Sequence, residues 1–393
     1  AGHPFQVQLS RELARRGHDV LHLHCSSLRT GKGALAPAPG DPPTLSIDAI
    51  ALDERFEKYA PRKRIAQEWQ YGGRVSERVQ AFRPTVVLSA NTPLLSQRRL
   101  LTASRRSGAR FIFWQQDMLG IGTRSMLDQR LRWVGRSIGA GFVALERSLV
   151  RASDAIVVVS SDFEPILRRW KVSPERIHVI ENWAPLDELP LVPRENPWAR
   201  EQGVVGKKVI LYSGTLGLKH NPTLLLHLAL HFRGDPETVV IVVSEGLGSD
   251  WLKKSVSEHK LENLAVLDFQ PYERLPEVLG SADILVAILE PDAGVFSVPS
   301  KILSYHCAGR PLLAAVPAEN LGARIIRGAD SGIVVDPRSS DELGFTAEAL
   351  LSDSSLREQL GTNARRYAEL TFDIGRVADR FMDIFSGPHR AIN

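Results

Sequence analysis

Two short stretches of this 393-residue chain carry residue types that hold an anion. In VFSVPSKILSYHCAGRP, residues 295 to 311, Pro299, Ser300 and Lys301 precede an apolar run that Gly309 and Pro311 bring to a stop. Serine at an N-cap, a stiffening proline before it and Gly-x-Pro after it are the signals of a short helix. The start of such a helix presents free N–H groups and the positive end of its dipole, and Lys301 adds a full charge. In YSGTLGLKHNP, residues 212 to 222, Gly214 and Gly217 let the backbone turn sharply and approach a ligand. Lys219 follows, just before a helix that Asn221 caps and Pro222 opens. Amide dipoles with an ammonium beside them suit a diphosphate. The turn matches neither G-x-G-x-x-G nor the Walker loop, so neither a dinucleotide nor phosphoryl transfer is indicated.

Other reactive residues form weaker sets. His22, His24 and Cys25 lie within a strand pattern whose alternation puts both histidines on one face and the thiol on the other, which argues against a metal site. No nucleophile-elbow signature is present, so a Ser-His-Asp hydrolase has no anchor. The two cysteines, 25 and 307, have no paired spacing, which fits a reducing compartment without a disulfide framework.

The elements that must position the two glycine- and lysine-bearing turns are legible as alternating apolar runs and amphipathic stretches. The first half holds VLHLH (20–24), TVVLS (85–89), RFIFW (110–114), AIVVVS (155–160) and IHVI (177–180). The second holds VILYS (209–213), TVVIVVS (238–244), LAVLDF (264–269), DILVAI (283–288), PLLAA (311–315) and GIVV (332–335). Unalternating apolar runs suit parallel strands buried on both faces, so two doubly wound α/β domains are expected. The proline-rich stretch from Pro185 to Pro197 marks the linker, giving domains over residues 1–186 and 187–370. The amphipathic stretch FDIGRVADRFMDIF (372–385) predicts a final helix, within residues 371–393, that crosses back to the first domain. A helix precedes the first recognisable strand, so a strand upstream of Ala1 is expected as well. Two such domains place a cleft between them at the carboxyl ends of the strands, where ligands bind.

Composition narrows the partners. With 43% hydrophobic and 24% charged residues, and no apolar run near eighteen residues, the chain reads as globular rather than membrane-spanning. Residues 1–186 carry 28 Lys+Arg against 17 Asp+Glu, a net +11, whereas the remainder carries 21 against 28, a net −7. So basic a first half can meet nucleic acid, an anionic membrane leaflet or a phosphorylated substrate. Nucleic acid is disfavoured because no reader module or aromatic interleaving accompanies the charge. The stretch 125–150 places Leu127, Leu131, Val134, Ile138, Phe142, Leu145 and Leu149 at helical spacing among Arg130, Arg132, Arg136 and Arg147. It reads either as a helix packing on its own core or as one that docks on an anionic membrane.

Taken in order, SDAIVVVSSDFEPIL, IHVIENWAP, SGTLGLKHN and VPSKILSYHCAGRPLLA resemble the retaining glycosyltransferases of family 4, which have the GT-B fold. The likeness is strongest to the bacterial capsule, O-antigen and colanic-acid transferases, including those of L-fucosamine type. The resemblance implies two Rossmann-like domains and a nucleoside-diphosphate sugar donor. Gly214 and Lys219 then hold the donor diphosphate, but Thr215 stands where the family carries Arg, and Lys301 replaces that charge. The family's Glu-x7-Glu pair falls on Phe296 and Ser304, so neither carboxylate is kept. Ser304 can hydrogen-bond the ribose in place of the second, and Glu290 or Asp292 can contact the sugar in place of the first. In FWQQDMLGIG, Gln116 and Asp117 fall where the family often shows His-Asp; Asp117 either caps the next helix or meets a sugar hydroxyl.

By this resemblance the chain transfers a sugar, such as an N-acetylated aminosugar, with retention, to a glycan or polyprenyl-linked acceptor in cell-surface polysaccharide assembly. Lys219, Lys301 and Asp117 take the catalytic roles, and Gly214, Thr215, Gly217, Ser300, Ser304 and Glu290 the donor-binding ones. No Asp-x-Asp occurs, in keeping with the metal-independent chemistry of the fold, and no cofactor is expected. A cytoplasmic location at the inner membrane face is implied. Loss of both glutamates leaves two rivals: an inactive nucleotide-sugar-binding subunit and a GT-B sugar-nucleotide epimerase.

Overall fold

The computed structural model describes residues 4–28, 32–57, 60–90, 92–217, 220–291 and 300–387, without the side chains of Pro61 and of residues 129–132. Two compact units are formed: Ala1–Asn182 with Ile374–Asn393, and Trp183–Asp373.

In the first unit, β1 (Val20–Cys25) pairs in parallel with β2 (Leu45–Ile50). A second sheet runs β3 (Val86–Ala90), β4 (Arg110–Gln115), β5 (Ala155–Val158) and β6 (Ile177–Val179), all parallel. Every residue of β4 and β5 is buried, as unalternating apolar strands covered on both faces must be. β2 was not foreseen from the sequence: its pattern, Leu45 to Ile50, includes Ser46 and Asp48 and only Ile50 is fully buried.

The segment Leu119–Ala152 is helical throughout. A straight helix of that length would span about 50 Å, yet Gly120 N–H donates to Glu146 Oε2 at 2.9 Å. The segment therefore doubles back on itself, and the sequence expectation of one amphipathic helix over 125–150 is corrected. Gly139 permits the close approach, since a Cβ there would lie 2.6 Å from the Arg124 Cα. The final helix, Ile374–Phe385, returns to the first unit: Phe381 meets Trp114 edge-on at 4.9 Å, and Asp379 accepts from Arg16 at 2.6 Å.

The second unit is one six-stranded parallel sheet of β7 (Lys208–Ser213), β8 (Thr238–Val243), β9 (Leu264–Leu267), β10 (Ile284–Ile288), β11 (Leu312–Ala315) and β12 (Gly332–Val335). Its order, β12-β11-β10-β7-β8-β9, is that of the Rossmann fold, with the switch point between β7 and β10. Alternate residues feed two cores. Ile210, Tyr212, Val240, Val242, Val286 and Leu313 pack on one face, and Val209, Leu211, Ile241, Val243, Leu285 and Leu312 on the other. Covering both faces is what makes the sheet doubly wound.

Candidate active site

At the switch point β7 and β10 pair only through Ile210↔Ile284 and Leu211↔Leu285, and beyond those residues the strands part. A side chain fills the gap. Tyr305, from the helix Lys301–Ala308, accepts from Ser213 N–H at 2.9 Å and stands 3.1 and 3.2 Å from the Ser213 and Val286 carbonyls. The splayed backbone groups are thereby satisfied without strand pairing. Burial raises the Tyr305 phenol above its ordinary value, so it serves as a neutral hydrogen-bonding group.

One turn earlier on that helix, Lys301 lies over the Tyr212 ring, its Nζ 3.7 Å from the centroid, and donates to the Tyr212 hydroxyl. The hydroxyl in turn donates to the Thr215 carbonyl at 3.0 Å, tying the turn after β7 to the lysine. No carboxylate among the described residues lies within 4.0 Å of Lys301. Burial alone pushes its ammonium well below the usual lysine value. An inward cation held by a ring face and one hydroxyl is a site short of an anion.

Gly214 completes that corner. Its φ of +143° is one an L side chain rarely adopts, and a Cβ would sit 2.9 Å from Lys301 Cε and 3.2 Å from Nζ. Glycine is therefore required twice, by conformation and by contact. Gly217 meets neither demand: its φ is not positive, and among the described residues a Cβ would touch only Thr215 Cγ2, at 3.9 Å. Only Gly214 is required to be glycine by its own conformation and by a neighbouring side chain.

The turn is anchored from behind. Leu216 is fully buried, its N–H donates to Ser244 Oγ at 3.1 Å, and its carbonyl accepts from Gly248 N–H at 3.2 Å. Asn221 caps the helix Pro222–His231 by accepting from Thr223 N–H at 3.1 Å. Thr215 is exposed, and Ser304 is half-buried one turn from Lys301 on the same helix side. Glu290 follows β10 directly, half-buried. Ser300 occupies the N-cap position of its helix but makes no side-chain cap; its backbone is already helical (φ −58°, ψ −24°), which turns the hydroxyl away from that role. Gly309, at φ +62°, ends the helix. Lys219, Asp292 and Phe296 lie outside the described residues.

In the first unit the turn after β4 is held by a residue that the sequence reading passed over. Glu146 is fully buried; it accepts from Gln115 Nε2 at 3.0 Å and from Gly120 N–H at 2.9 Å. Burial, more than the nearby Asp117 charge, pushes its carboxyl up to about 7. Glu146 thus caps the start of the helix Leu119–Ala152 from a distance, while Met118 stands at the cap position itself. Asp117 is half-buried in the same turn. Its neighbour Gln116 is buried and accepts from Asn182 Nδ2 at 2.6 Å, leaving Gln116 Nε2 and Asn182 Oδ1 without partners among the described residues. Sequence spacing carried no signal for Glu146, whose partners lie twenty-six and thirty-one residues away. Tyr305 could have been found, being four residues from Lys301 and so on its helix face. His22 and His24 are both buried, and no group of three metal-ligating side chains occurs among the described residues.

Two Rossmann-like units, the second with its switch point lined by Gly214 and Lys301, are the architecture of the GT-B glycosyltransferases. Residues 3–183 match the family model described as a glycosyl transferase 4-like domain, and residues 196–367 that of the glycosyl transferases group 1, so the chain belongs to the family-4 type of GT-B glycosyltransferase. Among its relatives is WcaI of Escherichia coli (strain K12), named as a colanic acid biosynthesis glycosyl transferase, 24% identical over 89% of this chain and 82% of WcaI. Similar solved structures include the sucrose-phosphate synthase of Thermosynechococcus elongatus, with a TM-score of 0.70 at 17% identity over 97% of this chain and 92% of that one. HepE of Anabaena, in complex with UDP-glucose, has a TM-score of 0.65 at 14% identity over 88% and 86%.

Proposed function

We propose that the chain transfers a sugar from a nucleoside-diphosphate donor to a glycan or polyprenyl-linked acceptor, with retention of configuration, in the assembly of a cell-surface polysaccharide. The observation that carries this reading is Lys301: a half-buried, desolvated ammonium with no carboxylate within 4.0 Å among the described residues, at the switch point, packed against Gly214, whose Cβ would displace it. A departing diphosphate develops charge where that ammonium stands, and electrostatic stabilisation there lowers the barrier without a metal. Lys219 supplies the second cation. Ser304 reaches a ribose hydroxyl, Thr215 offers its backbone to the phosphates, and Glu290 and Asp117 meet sugar hydroxyls. The UDP-glucose complex of HepE and the colanic-acid relative support the donor class and the pathway type. The test is transfer from a panel of UDP- and GDP-sugars to a lipid-linked acceptor, with Lys219→Ala and Lys301→Ala as controls. Loss of turnover in both with unchanged circular dichroism is expected; full turnover in either refutes the roles assigned.

Ser304 standing where the family carries a glutamate favours one alternative, a subunit that binds the donor without turning it over. Affinity for a nucleoside diphosphate without transfer or donor hydrolysis would select it. The acceptor side of the reading includes an anionic membrane. Trp133, 79% exposed, lies with Val134 and Ile138 on the folded-back helical segment, beside the exposed Arg136. An exposed tryptophan among aliphatic and basic residues enters the interface of an anionic bilayer. No helix among the described residues is long and apolar enough to cross a membrane.

A further inference from the structure

A cavity of about 320 Å³ opens at the entrance to β10 and β11, the opposite end of the second sheet from Gly214. One wall is Asp283, Gly309 and Arg310; the other is the helix Ser354–Thr371, through Arg357 and Arg365. Gly309 ends the eight-residue helix that begins with Lys301, so about 12 Å of helix separates the two places.

Charge around this cavity does not balance pair by pair. Asp283 is spent on Arg194, whose Nε lies 2.9 and 3.0 Å from its two oxygens, and on Val209 N–H at 2.7 Å. Arg365 holds Glu369 at 2.7 Å, and Asp353 caps the helix by accepting from Leu356 N–H at 2.9 Å. Arg310 and Arg357 have no carboxylate within 4.0 Å among the described residues. Each is held only by carbonyls: Arg310 by Val192 and Gly280, at 3.2 and 2.7 Å, and Arg357 by Leu350 and Leu351, both at 2.7 Å. The Nε of Arg310 is buried without an acceptor among the described residues. Burial lowers the Arg310 guanidinium from its ordinary value, against a smaller opposing effect of the Asp283 charge, which Arg194 also shares. Arg357 also sits in the first turn of its helix, near the positive end of a dipole that the Asp353 cap partly offsets. Against these stands Glu358 on the rim, with no ion-pair partner among the described residues. The hydroxyls of Ser354 and Thr362 line the same space, and no aromatic side chain does.

We propose that this cavity binds a phosphate monoester of a small polyhydroxy compound, the phosphate on Arg310 and Arg357 and the hydroxyls toward Ser354 and Thr362. A guanidinium with unused N–H groups is suited to phosphate oxygens. The space exceeds one phosphate, which leaves room for a sugar-sized group, and the lack of an aromatic wall gives a nucleobase nothing to stack on. The site is separate from the donor site and goes beyond the transferase reading.

The experiment is calorimetric titration of the full chain with glucose 6-phosphate, with inorganic phosphate and AMP as comparison probes. Four proteins are used: the parent, Lys301→Met, Arg357→Gln and Glu358→Gln. Glucose 6-phosphate is expected to bind the parent and Lys301→Met alike, Arg357→Gln at least about tenfold more weakly, and Glu358→Gln severalfold more tightly. Absence of binding to the parent, its loss in Lys301→Met, or a preference for AMP overturns the proposal. So does unchanged affinity in Arg357→Gln; should that variant fail to fold, Glu358→Gln decides alone, and an affinity no tighter than the parent's overturns it.

Discussion

Lys301→Met separates binding from stability, because the lysine costs the fold something that only a ligand returns. Methionine keeps the stem packed on the Tyr212 ring, where the ammonium now lies 3.7 Å from the centroid. The substitution forfeits the hydrogen bond to the Tyr212 hydroxyl and the cation–π contact, each about 1 kcal/mol. It also removes a half-buried charge with no carboxylate within 4.0 Å among the described residues, whose desolvation costs about 3–4 kcal/mol. The net is a gain of about 1–2 kcal/mol, a rise in Tm of about 2–8 °C for a unit of this size. The ligand side moves the other way: losing charge-assisted bonds of about 1.5–3 kcal/mol weakens UDP about 10- to 150-fold. Burial holds the folded-state value of Lys301 below the ordinary 10.5, so folding favours the neutral amine. The stability gap between variant and parent is therefore full at pH values below the folded value and closes as pH rises toward the unfolded one. Thermal melts with and without UDP, from pH 6 to 10, measure all three effects. A variant that melts below the parent at neutral pH, or that binds UDP as the parent does, refutes the reasoning.

Gly214→Ala is expected to lose at least about 1–3 kcal/mol to backbone strain and to push Lys301 aside, whereas Gly217→Ala stays within about 0.5 kcal/mol of the parent; paired urea melts and UDP titrations distinguish them. Glu146→Gln tests the buried cap of the first unit. With its carboxyl raised to about 7 in the fold, the stability Glu146 contributes is greatest below the unfolded value of 4.5 and is lost as pH rises to about 7. The variant lacks that loss, so its unfolding free energy should improve relative to the parent between pH 5 and 7, by on the order of 2–3 kcal/mol; a constant difference across that range refutes the assignment. Trp133→Ser with Arg136→Gln should lower flotation with phosphatidylglycerol vesicles about tenfold and leave phosphatidylcholine vesicles unaffected; equal flotation of both proteins refutes the docking face.

Strands buried on both faces write themselves into a sequence as unbroken apolar runs, and β10, Ile284–Ile288, is an example. β2 was not legible because Ser46 and Asp48 interrupt a strand with a single fully buried residue. The helix ends near Lys301 and at Gly309 were readable because proline, lysine and glycine act locally. The function of Ser300 was not, since whether a serine caps depends on its own backbone angles, and these are helical. Glu146 and Tyr305 show a different limit. Glu146 matters because a helical segment folds back across more than twenty residues, and Tyr305 because two strands part beyond Leu211 and Leu285. Neither event leaves a period in the sequence.

The central claim is that the donor diphosphate lies at the carboxyl end of β7, over Gly214 and against Lys301. A crystal structure of the chain with UDP tests it most directly. A diphosphate oxygen within about 3.2 Å of Lys301 Nζ is the expected result. A diphosphate bound elsewhere, with Lys301 still turned onto the Tyr212 hydroxyl and no phosphate in reach, contradicts it.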